Sequence, residues 1–585
     1  MSEQRNVIIA VVLSICILLG YQYLFIKPKS EQIARQMAEQ ATTEQSEAPK
    51  APGSVNVGDG ADAAKVVRDR AEVLTEVPRI AVKTPHLSGS ISLKGARLDD
   101  ITLPTYRETL AADSPAVTLL SPSGSEHPYF VELGWSTAEK GVALPNNDSL
   151  WTANASVLTP DKPLELRWAN GQGLTFVRTV AVDDKYVFTV TQKVENASGK
   201  AVTLYPYGLI ARVGIPTLSG YSVLHEGPLG VMDGTLQEIT YKKLKEKNHE
   251  YDSTGGWVGI TDKYWLAALL FDQKSPTHAK FTYRDAGGKD RFQVDYLSGG
   301  ITVAPGESKA TTARIFVGAK EVRTISAYED KFNVTKFDLA IDFGWFYFLT
   351  KPFFYILEYL YHFFNNFGFA ILGLVVIVRG AMFPLANKSF RSMNAMKRVQ
   401  PEMKKLQERY KDDKPTLQRE MMALYKREHA NPMSGCLPLV VQIPVFFALY
   451  KVLFITIEMR HAPFYGWIAD LSVQDPTNVF TAFGLIPWVP PEFLHLGAWP
   501  LIMGISMWLL QKMSPAPPDP TQAKLMMMMP IIFTFMLAKF PAGLVIYWSF
   551  SNVLSILQQW LLAKTTPDPH QQHHPKGHKA QGGDA

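Results

Sequence analysis

One arginine stands in the middle of an apolar segment in the last third of the chain. Arg379 directly follows the apolar run 374–378, inside the apolar segment 367–386. If that segment crosses a bilayer as a helix, the guanidinium lies near the midplane, where a charged side chain costs about 2.5–3.5 kcal/mol. None of the apolar segments in this region contains an Asp or Glu that could pair with it. We therefore predict that Arg379 faces a water-filled cavity with polar walls.

Polar side chains on two other apolar segments are candidates for those walls. Gln442 lies in one of them, and Trp548, Asn552, Ser555 and Gln559 follow at spacings of four, three and four in the last. These spacings place the four side chains on one face of a helix. Hydrogen bonding between packed helices is the alternative role, and for the serine and glutamine residues the sequence leaves it open. A cationic cavity in a membrane would attract an anion, either a small solute or a carboxylate on a polypeptide.

Six apolar segments are candidates for membrane-spanning helices. They cover residues 7–26, 367–386, 437–457, 496–513, 525–540 and 543–562. Lys27-Pro28-Lys29 follows the first segment in place of a small-residue cleavage site, which predicts an uncleaved anchor over residues 1–28. The loop 387–430 carries twelve Lys and Arg residues, whereas the loop 458–495 carries only Arg460. The positive-inside rule then places the basic loop and both termini in the cytoplasm.

A linker and a strand-rich domain separate the anchor from the other apolar segments. Residues 29–77 are mostly Gln, Glu, Ala, Ser, Gly and Pro, a composition typical of a flexible linker. Residues 78–340 contain runs rich in Val, Thr, Tyr and Phe, such as 174–182 and 186–194 on either side of a turn at 183–185. No strand-helix alternation is evident, so we predict a β-sandwich on the outer side of the membrane.

The segment 341–365 is dense in aromatic residues and interrupted by charge. Lys351, Pro352 and Glu358 make it a poor membrane span. The composition favours an amphipathic helix in the headgroup plane, and a buried helix that closes the β-domain is the alternative.

The basic loop 387–430 favours a helical hairpin. Helices are predicted over 388–411 and 416–429, with the break at 412–415. Its methionines would give an adaptable apolar face: Met393, Met396, Met403, Met421 and Met422. Docking of a ribosome or nascent chain and an ordinary solvated hairpin remain equally open. The hairpin belongs to a helical core over 366–563, and the tail 564–585 is predicted to be disordered.

Composition and absent motifs exclude several classes of protein. A net charge of +5 over 585 residues does not suggest nucleic-acid binding. Two cysteines, Cys16 and Cys436, cannot form a disulfide framework. The sequence has no phosphate-binding Gly-rich loop, no His-Glu-x-x-His and no Gly-x-Ser-x-Gly. We therefore predict no catalytic residue, cofactor or metal site.

Several motifs resemble the YidC family of bacterial membrane protein insertases. They are I-V-R-G at 377–380, N-P-M-S-G-C-L-P at 431–438, Q-I-P-V-F at 442–446, Q-K-M-S-P at 511–515 and F-P-A-G-L-V-I-Y-W at 540–548. The resemblance implies a polytopic α-helical membrane protein with six transmembrane helices, a five-helix insertase core and a periplasmic β-supersandwich. It further implies insertion and folding of inner-membrane proteins, alone or with the Sec translocon, and a role for Arg379 as the groove arginine.

The resulting hypothesis is an energy-independent insertase in the bacterial inner membrane. An acidic segment of the client would enter a hydrophilic groove lined by Arg379, Gln442, Trp548, Asn552, Ser555 and Gln559. The expected partners are nascent membrane proteins, the Sec translocon with its accessory subunits, the ribosome at the basic hairpin and the lipid bilayer. An ion-coupled transporter of a small anion is the first alternative. A carbohydrate-binding β-domain with the helices as a mere anchor is the second.

Overall fold

A computed structural model describes most of the chain from residue 68 to residue 565. The described residues are 68–218, 224–344, 346–428, 437–488, 490–491, 494–513 and 520–565. The predicted anchor 1–28, most of the linker 29–77 and nearly all of the tail 564–585 lie outside these ranges, as do Cys16 and Cys436. Those predictions remain untested.

The first half of the described chain folds into two β-sheets. In chain order the strands are β1 Arg79–Lys83, β2 Ser88–Ser92, β3 Leu98–Arg107, β4 Ala116–Leu120, β5 Tyr129–Ser136, β6 Thr152–Ala153, β7 Val157–Leu158, β8 Leu164–Ala169, β9 Leu174–Val182, β10 Val187–Asn196, β11 Val202–Val213, β12 Gly227–Met232, β13 Thr235–Glu238, β14 His249–Thr254, β15 Gly256–Thr261, β16 Trp265–Leu270, β17 Pro276–Asp285, β18 Asp290–Ser298, β19 Ile301–Val303 and β20 Ser308–Ala319. One sheet has the order β14-β17-β18-β11-β5-β3-β2-β1-β7, with β19 and β4 paired beside β11 and β3. The other has the order β13-β12-β15-β16-β20-β10-β9-β8-β6.

The two sheets share one buried core, as a β-sandwich requires. The Tyr129 hydroxyl of the first sheet donates to the Ile260 carbonyl of the second at 3.1 Å. In the opposite direction, buried Arg178 donates to the carbonyl of Ala96 at 2.8 Å. The predicted hairpin is confirmed, because β9 and β10 pair antiparallel and the Asp183 carboxylate accepts the backbone N–H of Lys185 at 3.0 Å.

Helices occupy most of the chain after the sandwich. The helices are α1 Arg70–Thr75, α2 Tyr241–Glu246, α3 Val322–Phe332, α4 Tyr347–Phe364, α5 Phe367–Arg409, α6 Lys414–Arg427, α7 Leu437–Ile455, α8 Ala498–Met513, α9 Pro520–Leu537 and α10 Ala542–Thr565. The β-rich domain followed by a helical region is the predicted order. Within the described ranges, Phe367–Ser392 is the one helical stretch whose length and apolar composition suffice to cross a membrane. Val441–Ile455 and Ala523–Leu537 are apolar but shorter, so the six predicted spans remain a prediction.

Helix α5 differs from the prediction in its length. The span 367–386 and the cytoplasmic helix 388–411 were predicted as separate elements, but α5 is one helix of 43 residues that runs through both. The change from apolar to basic composition alters the solvent preference of the side chains without ending the helix. The helix ends at Arg409, and α6 begins at Lys414 with the Asp413 side chain as its N-cap.

Helix α4 is amphipathic, and it does not bury all of its aromatic residues. Phe354 and Leu357 are buried, whereas Tyr347, Tyr359 and Phe363 are 64–74% exposed on other faces. The observed helix is shorter than the predicted segment 341–365. Its position in the headgroup plane remains a prediction.

Polar contacts join the sandwich to one end of the helical region. Lys451 near the end of α7 forms an ion pair with Asp342 at 2.6 Å. The Glu458 carboxylate accepts the backbone N–H of Val322, the first residue of α3, at 3.1 Å. The end of α7 and the loop that follows it therefore lie on the side of the sandwich.

Candidate functional site: a cavity between the five C-terminal helices

Five helices line an open cavity of about 470 Å³. Helices α5, α7, α8, α9 and α10 all contribute side chains to its wall. The structure brings every predicted groove residue to this one cavity: Arg379, Gln442, Trp548, Asn552, Ser555 and Gln559. Their placement together is a geometric finding, and their action on a substrate remains a prediction.

Arg379 is half-buried at the cavity wall and is held by a neutral partner. Its Nε donates to the Ser551 hydroxyl of α10 at 3.0 Å, and its guanidinium Nη2 donates to the same oxygen. Among the described residues, none that lines the cavity is an Asp or Glu, and none forms a salt bridge with Arg379. Because a hydroxyl does not neutralise a guanidinium, the positive charge remains available to an anion in the cavity.

Gln442 is held by Tyr547, which was not among the predicted groove residues. Its side-chain N–H₂ donates to the Tyr547 hydroxyl at 2.8 Å, across the boundary between α7 and α10. Tyr547 itself lines the cavity. A signal was present, because Tyr547, Ser551 and Ser555 recur at intervals of four and therefore share a helical face.

Two further predicted residues, Asn552 and Ser555, also form hydrogen bonds with groups of the surrounding helices. Asn552 donates to the Ser506 hydroxyl of α8 at 3.1 Å, which is the interhelical role considered as the alternative. The Ser555 hydroxyl donates to the Ser551 carbonyl one turn earlier at 2.9 Å. Both residues line the cavity while their polar groups stabilise the helices around it.

The cavity also holds polar atoms without a protein partner. The Gln558 side-chain N–H₂ and the Gln559 side-chain carbonyl are buried, and neither has a hydrogen-bond partner among the described residues. Buried amide groups are rarely left without a partner. Their chemistry therefore suits a cavity that contains water or a polar ligand.

Apolar side chains form the remainder of the wall. The Trp548 ring packs edge-on against Phe446 with centroids 4.7 Å apart, so it contributes an aromatic surface to the wall. Met526 and Met529 line the cavity, whereas Met527 and Met528 are 66% and 50% exposed on other faces of α9. The methionine run thus serves the cavity and the outer surface at once.

The basic hairpin α5–α6 carries fewer exposed methionines than its sequence suggested. Met403 is buried with Val399 and Leu424 between the two helices, and Met396 and Met421 pack against them. Of the predicted apolar face, Met422 is 53% exposed. Met396, Met403 and Met421 thus pack within the hairpin, and the exposed surface of its described residues is mainly charged. The side chain of Met393 lies outside the part of the chain that the structure describes.

Comparisons with known proteins identify the family. Residues 79–356 match the family model described as YidC periplasmic domain, and residues 359–569 match that of the 60Kd inner membrane protein. A membrane protein insertase YidC of Methylorubrum extorquens is 49% identical over 96% of this chain and 95% of its own length. One of Bradyrhizobium diazoefficiens is 50% identical over 96% of each chain.

The structure is also similar to a crystal structure of an active YidC insertase, with a TM-score of 0.35 and 17% sequence identity. The matched region covers 84% of this chain and 93% of the insertase chain. The relatives favour an insertase over the small-anion transporter considered above. The two family models match the first and the second half of the chain, and each of the named relatives covers 96% of it. The chain therefore belongs to the YidC family of membrane protein insertases.

Proposed function

We propose that the cavity is the groove through which this insertase moves the acidic extracytoplasmic segment of a client protein. The observation that carries the proposal is the Arg379 guanidinium, which is hydrogen-bonded to neutral Ser551 at the wall of a cavity whose described lining residues include no Asp or Glu. A client carboxylate entering the cavity would meet a cation that the Ser551 hydroxyl already holds in place. Charge-assisted hydrogen bonds of this kind are roughly twice as strong as neutral ones.

The driving forces in this mechanism come from the client and the membrane. The hydrophobic helix of the client leaves the cavity for the lipid, and burial of its apolar surface supplies most of the free energy. The membrane potential adds about 2.3 kcal/mol per elementary charge at ~100 mV and draws negative charge outward. Arg379 lowers the barrier for the carboxylates without consuming a nucleotide.

The proposed topology places α5, α7, α8, α9 and α10 across the inner membrane, with the sandwich in the periplasm and both termini in the cytoplasm. The basic hairpin then lies in the cytoplasm, where its exposed Lys and Arg residues suit the phosphates of a ribosome. The Sec translocon and its accessory subunits are proposed partners on the basis of family membership.

Insertion into vesicles tests the role of the charge. The client has one span and a short acidic segment, and the vesicles carry wild type, Arg379→Lys or Arg379→Ala. We expect Arg379→Ala to lower insertion at least tenfold and Arg379→Lys to retain most of it, because the client needs a cation. Lys512→Met removes a charge that lies over the Trp508 ring at 3.9 Å, outside the cavity, and is the matched control.

A second client separates the charge from a structural role of the arginine. Its acidic residues are replaced by Asn and Gln, and we expect it to insert equally well with wild type and Arg379→Ala. If Arg379→Ala inserts the acidic client normally, or impairs both clients alike, Arg379 does not act through the client's carboxylates.

A further inference from the structure

The loop between α7 and α8 carries an exposed apolar tip whose role the groove does not explain. Phe483, Leu485, Ile486 and Trp488 are 57%, 86%, 51% and 47% exposed. From residue 476 to residue 488 the sequence contains no Asp, Glu, Lys, Arg or His. An uncharged run with several large exposed apolar side chains is unusual for a surface loop in water.

The base of this loop is fixed to the helical region. The buried Asp475 carboxylate accepts the backbone N–H of Trp499 in α8 at 2.8 Å and the indole N–H of Trp467 at 3.1 Å. The backbone N–H of Val479 donates to the Leu496 carbonyl at 2.9 Å. The tip therefore projects from an anchored base and has a defined position relative to α8.

Two residues of the tip have a strained backbone. Ala482 and Phe483 have φ angles of 47° and 58°, in the left-handed region that residues with a Cβ adopt rarely. Such strain persists only where the surroundings or a function maintain it. The Phe483 side chain at this strained position is 57% exposed.

We propose that the tip inserts into the periplasmic leaflet of the bilayer. The proposal rests on the proposed function, in which α7 and α8 span the membrane. The loop joins the ends of those helices on the side of the sandwich, where Lys451 meets Asp342. The exposed side chains of α8, such as Ile502 and Ile505, continue toward the same end and would face lipid. The tip extends this lipid-facing surface, and an indole such as that of Trp488 prefers the headgroup region.

An environment-sensitive label tests the position of the tip. In a background with Cys16→Ser and Cys436→Ser, a nitrobenzoxadiazole label is placed at Leu485→Cys, and the protein is reconstituted alone in lipid nanodiscs. We expect blue-shifted emission that is quenched by lipids carrying a nitroxide near the headgroup. Ile486→Cys provides a second site should the first variant fold poorly.

Two further labels separate failure of this proposal from failure of the proposed topology. Ile505→Cys on the exposed face of α8 should be quenched by nitroxides deep in the acyl chains, and Leu150→Cys, on an exposed residue of the sandwich, should stay in water. If Ile505 is quenched while Leu485 and Ile486 report water, the leaflet insertion is wrong and the span is right. If Ile505 also reports water, the span itself is wrong. A tip that reports water in nanodiscs but an apolar environment in native membranes would indicate a protein partner and overturn the lipid assignment.

Discussion

Replacement of Glu458 by Gln should remove a pH-dependent weakness at the junction between the sandwich and the helices. One carboxylate oxygen of Glu458 accepts the Val322 N–H, and the other is buried without a hydrogen-bond partner among the described residues. Burial is the main cause that raises the pKa of the Glu458 carboxyl from its ordinary 4.5 to about 7, and the negative charges of Glu321 and Glu358 contribute to that rise. The backbone hydrogen bonds only partly oppose this shift.

The direction of the pH effect follows from the raised pKa. An acid whose pKa is higher in the folded state contributes its stability below pH 4.5, and this contribution is lost as the pH rises through 7. At about 1.4 kcal/mol per pH unit, the rise of the pKa from 4.5 to about 7 corresponds to a loss of about 3.5 kcal/mol by pH 8. Gln retains an acceptor for the Val322 N–H and cannot ionise. Glu458→Gln should therefore melt close to wild type at pH 5 and several degrees higher at pH 8.

Thermal melting in detergent micelles at both pH values measures this difference. Glu126→Gln, which removes a carboxylate whose side chain is 78% exposed, is the matched control and should shift neither melting temperature. Infrared difference spectra between wild type and Glu458→Gln report the protonated carboxyl directly. A carboxyl band that titrates near pH 4.5, or equal losses of melting temperature in wild type and Glu458→Gln, would refute the reasoning.

Two further variants test packing and pairing in the helical region. Gly504→Ala in α8 would place a Cβ 2.0 Å from the Thr534 hydroxyl of α9. This variant should therefore be less stable by about 1–3 kcal/mol and have a lower melting temperature. Gly380→Ala is the control and should leave the melting temperature unchanged, because a Cβ at Gly380 meets no atom within 4 Å. Asp342→Asn removes the carboxylate that Lys451 contacts at 2.6 Å and should destabilise the protein by about 1–3 kcal/mol. The double variant Asp342→Asn/Lys451→Met should lose less stability than Asp342→Asn alone, because it leaves no unpaired charge. An equal loss of stability in both variants would exclude the ion pair as the cause.

The cavity was predictable from the sequence because the energetics of one residue demanded it. Arg379 lies in an apolar segment without an acidic partner on any neighbouring segment, so a polar environment had to come from other helices. The helical spacing of the polar residues on α10 then indicated the wall. The choice of Ser551 as the direct partner was not predictable, since it depends on the rotation of α10 against α5. Periodicity defines a face of a helix, and packing decides which neighbour that face meets.

Contacts between distant parts of the chain could not be predicted either, because they too depend on how the elements pack. Lys451 lies near the end of an apolar segment and its partner Asp342 lies 109 positions away, so no local pattern indicates the pair. The length of α5 was missed because a change in polarity at residue 387 resembles an element boundary. The strands around the turn at Asp183 were easier, because β-branched runs and a local turn specify an antiparallel pair within a short segment.

The continuous helix α5 connects the basic hairpin directly to the part of the cavity wall that carries Arg379. Its 43 residues span about 65 Å, so the hairpin end and the cavity end belong to one rod. Pro384 lacks an N–H, and the Gly380 carbonyl four residues earlier therefore receives no helical hydrogen bond from it. Pro401 likewise leaves the Lys397 carbonyl without its helical donor, so the rod has two weakened turns, and one of them adjoins Arg379. A displacement of the basic hairpin would therefore reach the cavity wall through a single helix whose weakened turns include the turn beside Arg379.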